Sequence, residues 1–123
     1  FAPEIDEHDL LQQARDLTAR SACWVNDILS YPKEQRRGDP NNLVIVLAGE
    51  YDEPLSSAVR RAVAIHDDDV RYFLDVEAQH TIFPEALHSE VLRYFGVLRS
   101  YMRGNYDWTS ASARYLAERS AMA

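Results

Sequence analysis

Three oxygen-bearing side chains stand at successive four-residue steps, Asn26, Ser30 and Glu34. At 3.6 residues per turn, that spacing puts an amide oxygen, a hydroxyl and a carboxylate on one helix face. All three are hard oxygen donors of the kind Mg²⁺ accepts. Lys33 stands beside them, where its ammonium could meet an anion carried by such a metal. By spacing alone, a polar trio of this sort is more often the solvated side of an amphipathic helix. The surrounding sequence has to decide.

The elements that must position these residues read as helices throughout. Asp6, Glu7 and Asp9 suit a first helical turn, and Leu10, Leu11, Ala14, Leu17, Ala22, Trp24, Val25, Ile28 and Leu29 follow at helical spacing. The pattern predicts one long helix from about Glu7 to Glu34, with its last turn loosened by Pro32. Gly38-Asp39-Pro40-Asn41 is a turn cluster. The β-branched run from Asn41 to Ala48 has strand propensity, but no partner strand occurs elsewhere, so a short buried helix is expected. A third helix is expected from Pro54 to about His80, and a fourth from Pro84 to about Tyr101 or Arg103, broken or capped at Gly104-Asn105. A last short helix would run from Thr109 to Met122. The expected fold is all-α, about five helices in a single unit over residues 1–123.

Composition narrows the function classes. The 123 residues, 46% apolar and 27% charged, are one domain's worth of globular chain. With 13 Lys and Arg against 20 Asp and Glu, the net charge is −7, and no basic stripe exists for nucleic acid to bind. An acidic chain handling an anionic substrate needs divalent cations between them. The single Cys23 cannot form an internal disulfide and lies in an apolar stretch, which reads as buried filler in a reducing compartment. No signal-like or membrane-spanning run is seen, so a cytoplasmic location without membrane contact is expected.

Asn26-Asp27-x-x-Ser30-x-x-Lys33-Glu34, followed by Arg36-Arg37-Gly38-Asp39-Pro40-Asn41-Asn42-Leu43-Val44, resembles the second metal-binding motif of class I terpene synthases, the bacterial branch in particular. Gly104-Asn105-x-x-Trp108, with Arg114-Tyr115 six residues on, is similar to a segment near the C-terminus of the same family. The resemblance implies that Asn26, Ser30 and Glu34 hold Mg²⁺, and that Arg114, Tyr115 and Lys33 bind the diphosphate of a prenyl diphosphate substrate. An Arg fork suits phosphate oxygens and a phenol adds a donor. Trp108 would line the pocket and stabilise a carbocation through its ring face, worth about 1–2 kcal/mol when desolvated. Trp24, Phe73, Tyr94, Phe95, Tyr101 and Tyr106 are further aromatics, each better explained as core filler. His66-Asp67-Asp68-Asp69 lacks the spacing of the family's aspartate-rich first motif and reads as a solvated face. No metal-ligand spacing links His8, His66, His80 and His88.

The resemblance runs from about Arg15 to Leu116 and corresponds to the C-terminal part of a catalytic domain well over twice this length. It implies a lyase that ionises and cyclises an acyclic prenyl diphosphate, farnesyl diphosphate first among them, to a terpene plus diphosphate. The aspartate-rich motif, the arginine that senses diphosphate and a helix break lie upstream in the family and have no counterpart here. Activity is therefore expected to need that N-terminal half, supplied as a separate chain, a cleaved segment or a second copy. Two other readings are a non-catalytic helical module that binds a partner, and a Mg²⁺–diphosphate binder without cyclase activity.

Overall fold

A computed structural model describes the backbone of residues 1–122 and the side chains of residues 1–112. Its order is α1 (Pro3–Asp6), α2 (Asp9–Arg37), α3 (Leu43–Tyr51), α4 (Leu55–Ala78) and α5 (His88–Met122), with two 3₁₀ turns, Gln79–Ile82 and Glu85–Leu87, between the last two. The described residues contain no strand. The all-α expectation holds, and the β-branched run at 43–48 is helical.

Helix α2 is the axis of the molecule. His8 caps its start, Nδ1 accepting from the Leu10 N–H at 3.0 Å, so one of the four histidines has a local structural duty. The helix runs through Pro32, three residues beyond the expected end. Gly38 stops it in the left-handed region at φ 72°, and the N–H groups of Gly38 and Asp39 close back on the Gln35 and Glu34 carbonyls. Arg36 and Arg37 in the last turn complement the helix dipole. Nothing lies near a Cβ built at Gly38, so a side chain there costs conformational energy alone. Gly38→Ala is expected to lower stability by roughly 1–2 kcal/mol, read as a lower urea midpoint, with Gly38→Asn losing less.

Two apolar clusters lie along α2. Ile5, Leu10, Leu11, Ala14 and Leu17 pack with Phe73, Val76, Phe83, Val91, Tyr94 and Phe95. Further along, Ile28 and Tyr31 pack with Val44, Ala58, Ala62 and Leu47. The first cluster thus joins the start of α2 to the end of α4, and the second joins the end of α2 to the start of α4. The two helices therefore run antiparallel, and α3 closes the second cluster. Arg15 pins α1 and α5 to α2: its Nη1 donates to the Asp6 carbonyl at 2.9 Å and to the Tyr94 hydroxyl at 2.7 Å.

Several expectations are corrected. Helix α5 passes through Gly104-Asn105 without a break. One glycine costs a helix about 1 kcal/mol relative to alanine, which is too little to end a long helix. Cys23 is exposed, because it falls on the side of α2 away from Ala14, Leu17, Ser21 and Val25. Helix α3 is buried on one side only: Val44 is fully covered while Val46 is exposed. Asp69 does not belong to a solvated face. Its carboxylate accepts from Trp24 Nε1 at 2.8 Å and pairs with Arg20 at 2.8 Å, tying α4 to α2, whereas Asp67 and Asp68 are exposed. Trp24 is accordingly a half-buried tie rather than core filler, and Tyr101 and Tyr106 are exposed.

Candidate metal centre

The last three turns of α2 carry the candidate site. Ser30 Oγ donates to Glu34 Oε1 at 3.0 Å, so the four-residue step brings these two side chains together. Asn26 lies one turn earlier on the same face and is exposed. Lys33 is half-buried and follows Asn26 by seven residues, two turns along that face.

Glu34 is held from its other side. Asn42 Nδ2 donates to Glu34 Oε2 at 2.6 Å and to the Asp27 carbonyl at 2.9 Å, while Asn42 Oδ1 accepts from the Val44 N–H at 2.9 Å. Asn42 is therefore at once the N-cap of α3 and a clamp on Glu34, and it is 1% exposed. Asp27 Oδ2 accepts from the Leu43 N–H at 2.9 Å, which anchors the same helix start a second time. Spacing arguments missed both residues, because they act across the turn at 38–41. The available signal was local: an Asn directly before the apolar Leu43-Val44 run is a capping position.

Burial pushes the Asp27 carboxyl above its ordinary value of 3.8; the Leu43 N–H opposes this, and the nearby Glu34 and Asp39 charges reinforce it. The folded chain therefore holds this proton more readily than the unfolded one. Asp27 contributes stability below 3.8 that is lost as pH rises through the raised folded value. Asp27→Asn keeps an acceptor for the Leu43 N–H without the charge. It is expected to raise the urea midpoint at pH 7, with the gain over wild type vanishing below pH 3.8.

The donor set fits a small divalent cation. Two oxygens on adjacent corners of an octahedron with ~2.1 Å metal–oxygen distances stand about 3.0 Å apart. Ser30 Oγ and Glu34 Oε1, 3.0 Å apart through their hydrogen bond, are near enough to reach one such ion without rearrangement of the helix. Among the described residues no three His, Cys, Asp or Glu side chains converge on one point, so in the Asn26, Ser30 and Glu34 set one carboxylate is joined by two neutral oxygens. Such a set suits Mg²⁺ that keeps several ligands from phosphate and water.

The remaining predicted residues lie apart. Trp108 is on α5 and 74% exposed. Arg114 and Tyr115 fall outside the residues whose side chains are described. A cleft of about 410 Å³ between α2, α4 and α5 is lined by Ala22, Val25, Phe73, Met102, Arg103 and Tyr106, among others. Ala22 places it one turn before Asn26 on α2. No helix among the described residues is long and apolar enough to cross a membrane.

Residues 1–72 match the family model described as terpene synthase family 2, C-terminal metal binding. The chain is 34% identical over 108 residues to the (+)-T-muurolol synthase of Roseiflexus castenholzii, whose name specifies cyclisation of (2E,6E)-farnesyl diphosphate, covering 88% of this chain and 33% of that protein. It is 34% identical to the germacrene A synthase of Nostoc punctiforme, with coverage of 88% and 33%. With the 10-epi-cubebol synthase of Sorangium cellulosum the identity is 36%, over 94% of this chain and 37% of that protein. The chain thus spans about a third of the length of these curated relatives.

Proposed function

The chain belongs to terpene synthase family 2, and from that premise we propose that it forms the metal-binding part of a class I terpene synthase. The substrate in this reading is an acyclic prenyl diphosphate, farnesyl diphosphate in the first instance, converted to a terpene plus diphosphate. The observation that carries it is the pairing of Ser30 with Glu34 on the face that also bears Asn26, with Glu34 anchored by buried Asn42.

Asn26, Ser30 and Glu34 would hold Mg²⁺. When bound, the cation offsets charge on the departing diphosphate. Lys33 presents an ammonium along the same face, suited to phosphate oxygens. Arg114 and Tyr115 would supply further donors to the diphosphate. Trp108, with Val97, Tyr101 and Gly104, makes an outward stripe on α5 at helical spacing. In this reading the stripe is covered by the rest of the catalytic domain, supplied as a separate chain, a cleaved segment or a second copy, and Trp108 then faces the pocket.

The test is diphosphate release from farnesyl diphosphate by this chain with Mg²⁺ and with a chelator, beside calorimetry with inorganic diphosphate under both conditions. Metal-dependent release supports the full reading. Metal-dependent diphosphate binding without release supports a metal-binding part that needs the remaining two thirds. A folded chain that does neither refutes the proposal.

A further inference from the structure

We propose that Asn42 is a positioning residue for the metal site, setting the orientation of the Glu34 carboxylate from the far side of the turn at 38–41. The inference rests on the metal-site reading above and adds a residue outside the Asn26, Ser30 and Glu34 set. A free glutamate near the end of a helix rotates about three bonds, and its two oxygens are equivalent. Here they are not: Oε2 is taken by Asn42 Nδ2 at 2.6 Å, which leaves Oε1 turned toward Ser30 Oγ at 3.0 Å. One carboxylate oxygen is thus spent on the protein and the other is aimed along the donor face. Charge-assisted hydrogen bonds of this kind are the strong ones, and they fix a ligand's orientation before the ion arrives.

Asn42 is itself immobilised. Its amide nitrogen also donates to the Asp27 carbonyl, its oxygen caps Val44, and the side chain is buried. The asymmetry of the amide matters here. The oxygen has to face the helix N-terminus as cap, so the nitrogen has to face Glu34. Aspartate and serine cap equally well, but neither offers an amide donor at that reach. The start of α3 is therefore part of the metal site's support, and its second anchor, Asp27 to the Leu43 N–H, holds the same turn in register.

Three variants separate capping from positioning. Asn42→Ala removes both roles. Asn42→Ser restores the cap without the donor to Glu34. Glu34→Gln removes the ligand charge and serves as reference. Each is compared with wild type for thermal midpoint and for Mn²⁺ affinity, by electron paramagnetic resonance in the presence of inorganic diphosphate. Asn42→Ser is expected to melt above Asn42→Ala yet to bind Mn²⁺ as weakly as it does, about 10- to 100-fold below wild type. Wild-type Mn²⁺ affinity in Asn42→Ser, or affinities that simply follow the thermal midpoints, would overturn the positioning role while leaving the metal site standing. No Mn²⁺ binding by wild type, or unchanged binding by Glu34→Gln, refutes the metal site itself and this proposal with it.

Discussion

Glu34→Gln is expected to reduce metal-dependent diphosphate release by about 100-fold or more, the scale on which loss of a preorganised charge contact acts. The structure makes this change harsher than loss of one charge. Asn42 Nδ2 donates to one side of residue 34, so a glutamine there must turn its oxygen toward Asn42. Its NH₂ then faces Ser30, on the side where Glu34 Oε1 now stands. The donor face therefore receives two N–H hydrogens in place of a carboxylate oxygen. The hydrogen bond to Asn42 survives the exchange, so the thermal midpoint should change little. Ser30→Ala removes a neutral ligand whose place water can take, and its loss should be smaller. The measurement is diphosphate release from farnesyl diphosphate against Mg²⁺ concentration, in whatever assembly of the catalytic domain is active. A Glu34→Gln protein that releases diphosphate at the wild-type rate and Mg²⁺ dependence would refute the assignment of Glu34 as a ligand.

Phe95→Ala should act on folding instead. Phe95 is fully buried on α5 and meets Phe73 of α4 edge-on, ring centroids 5.6 Å apart at 73°. Removing such a ring costs about 3–5 kcal/mol, from lost burial and the cavity left behind. Domains of this size have total stabilities of about 5–15 kcal/mol, so the variant should lose a large fraction of its stability. The urea midpoint, followed by helical circular dichroism, is expected to fall by roughly 1–3 M. Leu92→Ala, on the same helix but 40% exposed, is the comparison and should shift it little. Phe95 belongs to the cluster at the start of α2, whereas the face proposed to hold metal lies at its end beside the other cluster. At low temperature, any folded fraction of Phe95→Ala should therefore keep its Mn²⁺ affinity.

Helical spacing alone was enough to place Asn26, Ser30 and Glu34 on one face, because residues four apart on a regular helix have no other option. Apolar periodicity likewise located α2 and α4, although it ended α2 at Glu34 where the helix continues to Arg37, and the lack of a partner strand made residues 43–48 helical. Local signals failed where energy had to be compared across elements. Gly104-Asn105 reads as a stop, yet α5 continues through it, because the roughly 1 kcal/mol that one glycine costs is small against the cooperativity of a 35-residue helix. Asp69 sits among exposed carboxylates in sequence and is nevertheless drawn into contact with Trp24 and Arg20, because α4 lies antiparallel against α2.

The clearest case is Asn42. Its capping role can be inferred from the residue that follows it, but its hold on Glu34 depends on how the turn at 38–41 folds α3 back over the end of α2. The sequence by itself determined which oxygens share a face. Only the tertiary structure decided which way the Glu34 carboxylate points, because its partner is eight residues away across a reversal of the chain, beyond the reach of any helical period.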